Sequence, residues 1–212
     1  FMIDSQLIRE KFGLRAKRFD FPDREIREGL EEFTPDPETT AAALMQRLEG
    51  EGVEAQPHGW MTDCLVLSGT GSLEELESFR EGLYYVQDPA AKLSVLCAQI
   101  PRNARVLDCC SAPGGKSFAA AMVLKGTGSI ISCDIHPHKV PLIQAGAERL
   151  GIENLTAQVQ DASCFVPQWG ERMDVVIADV PCSGYGIIRK KPDIRYKDIA
   201  QMKELPVLQR AI

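Results

Sequence analysis

The sequence predicts an α/β fold in which helices cover both faces of a parallel sheet. From about residue 86 onward, short apolar segments alternate with segments of helical periodicity. Parallel strands joined by helical crossovers produce this alternation, because such strands are buried on both sides. Four of the apolar segments also end in an acidic residue or a glycine turn. The carboxyl ends of parallel strands meet at one edge of a sheet, so a ligand site is expected there.

The elements of this domain follow one another in a regular order. A helix over 89–99 is expected to place Leu93, Leu96 and Cys97 on one side. The remaining elements are four strands and the helices between them. The strands are predicted at 105–109, 129–134, 155–160 and 174–179, and the helices at 117–124 and 137–150.

A smaller unit is expected ahead of this domain. Residues 1–33 are charged and helical in pattern, and a Thr-Pro-Asp-Pro turn follows them. The predicted elements after the turn are a helix at 38–50, short strands at 53–55 and 64–67, and a helical turn at 73–79. The chain thus divides into an N-terminal helical segment at 1–33, a small α/β subdomain at 34–85 and the main domain at 86–212.

Composition narrows the classes of function. Seven cysteines occur without a C-x-x-C pair, and three histidines accompany them, which argues against a zinc site. Apart from Cys182, these cysteines are expected to be structural residues of a protein in a reducing compartment. No apolar run reaches the length of a membrane span, and the start shows no signal-peptide pattern. A cytoplasmic location is therefore expected.

The net charge of −6 argues against nucleic-acid binding by the surface as a whole. Contact with RNA would need local basic clusters, and the sequence has two. The first comprises Arg9, Lys11, Arg15, Lys17 and Arg18, and the second comprises Arg189, Lys190, Lys191, Arg195 and Lys197. Clusters of this size also occur on ordinary solvated faces, so the charges alone leave both interpretations open.

The turn after the first strand of the main domain carries a local signal of ligand binding. The sequence Asp-Cys-Cys-Ser-Ala-Pro-Gly-Gly-Lys at 108–116 ends a strand and opens a helix. Glycines let a ligand approach the backbone closely, and a helix N-terminus offers N–H groups to an anion. The spacing matches neither the P-loop nor the G-x-G-x-x-G dinucleotide fingerprint, which argues against an NAD-dependent oxidoreductase.

Acidic residues lie at the ends of the next three strands. Asp134, the last residue of the second strand, can accept hydrogen bonds from both hydroxyls of a ribose. Asp161, after the third, is placed to accept one from an adenine amine. Asp179, after the fourth, opens the sequence Asp-Val-Pro-Cys-Ser-Gly. Each carboxylate taken alone has an alternative role as a cap of the following turn, but together they predict a nucleotide site.

These motifs resemble those of the Nop/Sun family of RNA 5-methylcytosine methyltransferases, especially its bacterial Sun/Fmu group, which acts on small-subunit ribosomal RNA. The resemblance extends from about residue 83 to the end. It rests on the motifs at 108–116, 133–135, 160–161 and 179–184, the continuation to Tyr196, and Val-Gln-Asp at 86–88. It implies a Rossmann-like domain that binds S-adenosylmethionine (SAM) and methylates carbon 5 of cytosine in RNA. Ribosomal RNA is the expected substrate, with transfer RNA as the alternative.

The resemblance also implies roles for individual residues. The cofactor-binding residues would be Cys110, Ser111, Ala112, Pro113, Gly114, Gly115, Lys116, Asp134, Asp161 and Asp179. Asp179 would also face the target base, and it forms the expected catalytic pair with Cys182 of the Pro-Cys motif. The expected RNA contacts are Arg189, Lys190, Lys191 and Arg195. No metal is expected, and the oligomeric state is left open.

One motif of the family is absent. In the RNA enzymes the attacking cysteine belongs to a Thr-Cys motif, and this sequence contains no Thr-Cys dipeptide. The main domain is therefore expected to be incomplete, with 175–178 left as an exposed apolar edge strand. A SAM- or RNA-binding module without activity stays open as an alternative. Two further pairs are not expected to bind a ligand. His136 and His138 are expected to be exposed, and Trp60 and Trp169 are expected to be packing residues.

Overall fold

The computed structural model describes residues 37–188, 191–197 and 202–212. The predicted segment at 1–33 and its basic cluster lie outside these residues, as do Arg189 and Lys190. The chain forms two compact units. Within the described residues, the first unit comprises 37–94 and 147–153, and the second comprises 95–146 and the described residues from 154 onward.

The first unit combines helices with a two-stranded antiparallel sheet. Its elements are α1 (Pro37–Gly50), β1 (Glu54–Pro57), β2 (Leu65–Ser68), a 3₁₀ turn (Leu73–Glu75) and α2 (Glu77–Arg80). In β2, Leu65 and Leu67 are buried while Val66 and Ser68 are exposed, because successive side chains of a strand point to opposite faces. The two leucines join a core that also contains Leu44, Leu48, Val53, Leu83 and Tyr84.

The second unit is built on a four-stranded parallel sheet. The strands are β3 (Arg105–Asp108), β4 (Ser129–Asp134), β5 (Leu155–Val159) and β6 (Val175–Ile177), in the spatial order β5-β4-β3-β6. Leu107 of β3 pairs with Ile131 on one side and with Val176 on the other. The direction of strand addition therefore reverses between β3 and β6, and Rossmann-like folds bind ligands at this point of the sheet.

Helices and 3₁₀ turns precede, connect and follow these strands. The helices are α3 (Pro89–Cys97), α4 (Gly115–Leu124), α5 (Val140–Arg149) and α6 (Leu205–Ala211). The 3₁₀ turns are Pro137–Lys139, Pro167–Trp169, Tyr185–Ile187 and Pro192–Tyr196. No helix in the described part of the chain is long and apolar enough to cross a membrane.

One aromatic ring requires glycine at two positions around it. The buried side chain of Phe118 in α4 lies against Gly114 and Gly146. A Cβ at Gly114 would overlap the ring, and a Cβ at Gly146 would lie 2.5 Å from its Cζ. These two glycines therefore let the first turn of α4 pack closely beside α5 at the carboxyl edge of the sheet.

The predicted α/β class and its parallel sheet are confirmed, and several finer predictions are wrong. In α3 the buried residues are Lys92 and Val95, whereas Leu93 and Cys97 are exposed. The side chain of Trp60, expected to pack, is 61% exposed. Cys164 is also exposed, contrary to the expectation for structural cysteines. The apolar edge agrees with the described residues: among their strands β6 is an outer one, and Val176 in it is 56% exposed.

Candidate active site

The turn after β3 is hydrogen-bonded to both neighbouring strands. The backbone N–H of Cys109 donates to the carbonyl of Ile177 in β6 at 2.9 Å. On the other side, the N–H and the hydroxyl of Ser111 both donate to the carbonyl of Cys133 in β4, at 2.8 and 3.1 Å. The turn is thereby fixed at the point where the strand order reverses, which is the predicted place for a ligand.

Helix α4 begins directly after this turn. Gly114 precedes the helix with a φ of 112°, a conformation that favours glycine, and its N–H donates to the Ser111 carbonyl at 2.6 Å. The first N–H groups of an α-helix have no partner within the helix. Those of α4 lie at the carboxyl end of β3, so an anionic group of a ligand can be bound there.

A buried polar network joins β3, α4 and β4 beneath this turn. Asp108 is fully buried, and its Oδ2 accepts a hydrogen bond from the Ser117 hydroxyl at 2.7 Å. The Ser132 hydroxyl donates in turn to the Ser117 oxygen, also at 2.7 Å. Burial raises the pKa of Asp108 to about 6, while the Ser117 hydrogen bond and the charge of Lys116 act in the opposite direction.

The carboxylates at the end of β4 and just after β5 both make turn contacts. Asp134 is 7% exposed, and its Oδ1 accepts the N–H of His136 at 2.9 Å. Among the described residues, no hydrogen bond reaches its Oδ2. Asp161 accepts both the N–H and the hydroxyl of Ser163, and these bonds lower its pKa. The capping role that the sequence left open is therefore real for both residues, and Asp134 retains an oxygen for a ligand.

An ion pair connects the turn after β3 to the loop after β6. The Lys116 ammonium donates to Asp179 Oδ2 at 2.6 Å, with the lysine side chain 20% exposed and the aspartate 58% exposed. An ion pair this open to water contributes little to stability. Its consequence is geometric: it brings a residue of the predicted cofactor turn and a predicted catalytic residue into direct contact.

The loop that carries Cys182 is held by two side chains from later in the chain. Gln209 in α6 donates from Nε2 to the Pro181 carbonyl at 2.7 Å, and the Lys197 ammonium donates to the Ser183 carbonyl at 3.1 Å. The carbonyls on either side of Cys182 are thus both bound, while its own side chain is exposed. Neither Lys197 nor Gln209 was predicted from the sequence to have this role.

Three other cysteines near this edge differ from Cys182 in their surroundings. Burial raises the pKa of Cys110 to about 11 and that of Cys133 to about 12, and it also raises the pKa of Cys109. These thiols stay protonated at neutral pH, and a protonated thiol is a poor nucleophile. Of the four, Cys182 is the one exposed to solvent.

The predicted RNA contacts fall into two groups. Lys191 and Arg195 are exposed, at and within the 3₁₀ turn Pro192–Tyr196. Arg189 and Lys190 lie outside the described residues. Lys197 belongs to the same basic cluster in the sequence, but its ammonium contacts the Cys182 loop.

The reversed strand order and the convergence of polar groups at its carboxyl edge define a Rossmann-like nucleotide-binding domain. The chain belongs to the family described as 16S rRNA methyltransferase RsmB/F, whose profile matches residues 96–212. The resemblance noted in the sequence is thereby confirmed.

Individual relatives agree with this family. Over 169 residues the chain is 35% identical to the probable ribosomal RNA small subunit methyltransferase B of Bacillus subtilis, a match that covers 77% of this chain and 38% of that protein. The solved structure of PH0851 matches with a TM-score of 0.76 at 26% identity, covering 82% of this chain and 40% of that one. The structure of NSun6 from Pyrococcus horikoshii with SFG, a SAM analogue, matches with a TM-score of 0.59 at 27% identity. This match covers 66% of this chain and 36% of that one. The chain thus spans about two fifths of the length of these proteins.

Proposed function

We propose that this chain provides the SAM site and part of the catalytic site of an enzyme that methylates carbon 5 of cytosine in ribosomal RNA. The observation that carries the proposal is the contact between Lys116 and Asp179. It joins the glycine turn, a feature of nucleotide binding, to the Asp-Val-Pro-Cys-Ser-Gly loop at the reversal point of the sheet. The Bacillus relative is named as a ribosomal RNA methyltransferase, and NSun6 was crystallised with a SAM analogue.

The residues at this edge fit SAM chemically. Its ribose has two hydroxyls, and Asp134 offers a nearly buried carboxylate whose Oδ2 receives no hydrogen bond from the described residues. The carboxylate of SAM suits the N-terminus of α4. Asp161, two residues after the end of β5, would lie beside the adenine. The turn from Cys110 to Lys116 would surround the rest of the molecule. When bound, SAM supplies an electrophilic methyl group.

The chemistry of the target explains the need for cysteine. Carbon 5 of cytosine is a weak nucleophile until a thiolate adds to carbon 6. After carbon 5 has taken the methyl group, a base removes the carbon 5 proton, and the carbon–sulfur bond breaks as the double bond re-forms. In the RNA enzymes that this chain resembles, the attacking thiolate comes from the Thr-Cys motif. Cys182, exposed three residues after Asp179 in the chain, would then assist release of the methylated base.

A second candidate is a module that binds SAM and RNA without transferring the methyl group. The sequence observation that favours it is the absence of a Thr-Cys dipeptide. The two candidates make the same prediction for SAM binding and differ in turnover. Incubation with methyl-labelled SAM and either ribosomal or transfer RNA separates them, and the RNA that is labelled identifies the substrate class.

RNA contact is proposed for the exposed basic residues Lys191 and Arg195, together with Arg189 and Lys190. Such side chains bind phosphates and position the strand without reading its sequence. Each phosphate contact steepens the dependence of affinity on salt, so removing one charge should reduce the logarithmic slope by about one.

Titration with SAM by calorimetry tests the cofactor site. Asp134→Ala removes the carboxylate proposed to accept the ribose hydroxyls, and we expect binding to weaken by about tenfold to a hundredfold, because hydrogen bonds to a charged group contribute about 1.5–3 kcal/mol. Glu148→Ala, which removes an exposed carboxylate on α5, is the matched control and should bind as the parent does. Failure of the folded parent chain to bind SAM would contradict the proposal.

A further inference from the structure

The 3₁₀ turn Pro192–Tyr196 and the following Lys197 are anchored to the Cys182 loop at two points. Ile194 is 6% exposed, and its Cδ1 lies 3.3 Å from the position that a Cβ at Gly184 would occupy. Lys197 donates its hydrogen bond to the Ser183 carbonyl. Because Gly184 has no side chain, Ile194 can lie directly against this loop. The two contacts hold the turn next to the segment that carries Cys182.

The two residues between these anchors face solvent. Tyr196 is 75% exposed, and the Arg195 guanidinium carbon lies 4.8 Å from the centre of its ring. An exposed tyrosine leaves aromatic surface in water, and the guanidinium next to the ring adds a positive charge. Proteins that bind single-stranded nucleic acid combine these features, because a base stacks on the ring and the cation attracts the phosphate.

We propose that Tyr196 is a stacking platform for an unpaired RNA base next to the target cytosine, and that Arg195 contacts the phosphate beside that base. This inference rests on the proposed function and specifies how that site takes its substrate. A cytosine that is to react must leave its base stack. The neighbouring base thereby loses a stacking partner, and the Tyr196 ring replaces it.

The surrounding charge distinguishes Tyr196 from the exposed Trp60. Residues 189–197 contain five basic residues and one acidic residue. Residues 37–94, which include Trp60, contain ten acidic residues and three basic ones, so that surface repels a phosphate backbone. Trp60 is thus a matched control, since it is an exposed aromatic side chain in the opposite electrostatic setting.

The test uses the whole chain and a short single-stranded RNA with 2-aminopurine beside a central cytosine. Stacking quenches 2-aminopurine fluorescence, so the titration reports both affinity and stacking. We expect Tyr196→Ala to abolish the quenching and to weaken binding by about fivefold to a hundredfold. Tyr196→Phe and Trp60→Ala should behave as the parent does. Arg195→Ala should keep the quenching and flatten the salt dependence.

Each outcome decides one question. Equal quenching by the parent and by Tyr196→Ala, or equal loss in Tyr196→Ala and Trp60→Ala, would overturn the stacking role. Loss of binding or quenching in Tyr196→Phe would also overturn the stacking role, because the ring and not the hydroxyl is proposed to act. SAM binding measured on the same samples shows whether each variant is folded. A folded parent that does not bind RNA would overturn the proposed RNA substrate as well, whereas loss of the Tyr196 effect alone leaves that proposal standing.

Discussion

The two sides of the candidate site are stabilised by different interactions. The side proposed to bind the cofactor, called the cofactor side here, comprises Asp108, the turn at 109–116 and Asp134. It contains a fully buried carboxylate and is hydrogen-bonded to both neighbouring strands. The side proposed to face the target cytosine, called the base side here, is the loop at 179–184. It exposes Asp179 and Cys182, and Lys197 and Gln209 donate hydrogen bonds to its backbone carbonyls. Changes on the cofactor side should therefore lower global stability, whereas changes on the base side should alter local order.

The same substitution on the two sides gives the largest expected contrast. Gly114 and Gly184 both have a positive φ, which costs a non-glycine residue about 1–3 kcal/mol. At Gly114 a Cβ would also overlap the buried Phe118 ring, and such overpacking costs about another 1–3 kcal/mol. At Gly184 the nearest atoms are the ends of the Ile194 and Lys197 side chains, at 3.3 and 3.8 Å.

We expect Gly114→Ala to lower the free energy of unfolding by about 2–6 kcal/mol, and Gly184→Ala by about 1–3 kcal/mol. Urea denaturation of each variant, followed by circular dichroism, measures the difference. Equal destabilisation by the two substitutions would show that packing does not distinguish the two sides.

The pKa of Asp108 predicts a pH dependence that belongs to the cofactor side. Its folded value, about 6, lies above the ordinary value of 3.8, so the folded state holds the proton more tightly than the unfolded state does. The stability that this residue contributes is fully present below about pH 4 and is lost as the pH rises to about 6. Above about pH 6 its contribution no longer changes. The difference between pKa values of 3.8 and about 6 corresponds to a loss of about 3 kcal/mol in the free energy of unfolding.

Asp108→Asn removes this titration and keeps the size of the side chain. Between about pH 4 and pH 6 the parent should lose stability relative to Asp108→Asn, and the two should run parallel at higher pH. Urea denaturation across this range tests the expectation. The comparison with Asp108→Asn is needed because Asp161, whose pKa is lowered, contributes a slope of the opposite sign at lower pH. A constant difference between the two proteins would contradict the assignment.

Features set by local sequence could be predicted, whereas features set by contacts between distant residues could not. Each parallel strand is a short apolar run with a turn at its end, so the strands were predicted to within a few residues, and Asp134 and Asp179 followed from their positions after them. The roles of Lys197 and Gln209 could not be found in this way, because they contact residues 14 and 28 positions earlier in the chain. The buried face of α3 was also missed, because Lys92, a residue type that seldom occupies a core, is buried there with its ammonium bound to Asp63.

The smallest expected effect concerns the Gln209 contact on the base side. Gln209→Ala removes the donor to the Pro181 carbonyl, and a hydrogen bond of this kind contributes about 1 kcal/mol net. Because the loop is exposed, we expect this loss to appear as local opening and not as a change in global unfolding. Hydrogen exchange of the peptide that contains Cys182 should become about fivefold faster, since 1 kcal/mol corresponds to about that factor.

Arg210→Ala is the matched control for this prediction, because Arg210 is an exposed neighbour on the same helix. It should leave the exchange of the Cys182 peptide unchanged, and peptides from β3 and β4 should exchange as in the parent for both variants. If both variants accelerate exchange equally, fraying of α6 and not the Gln209 contact controls the loop. If neither does, the Lys197 contact at Ser183 suffices to hold it. Faster exchange in Gln209→Ala alone would establish that the order of the loop around Cys182 depends on a side chain 27 positions further along the chain.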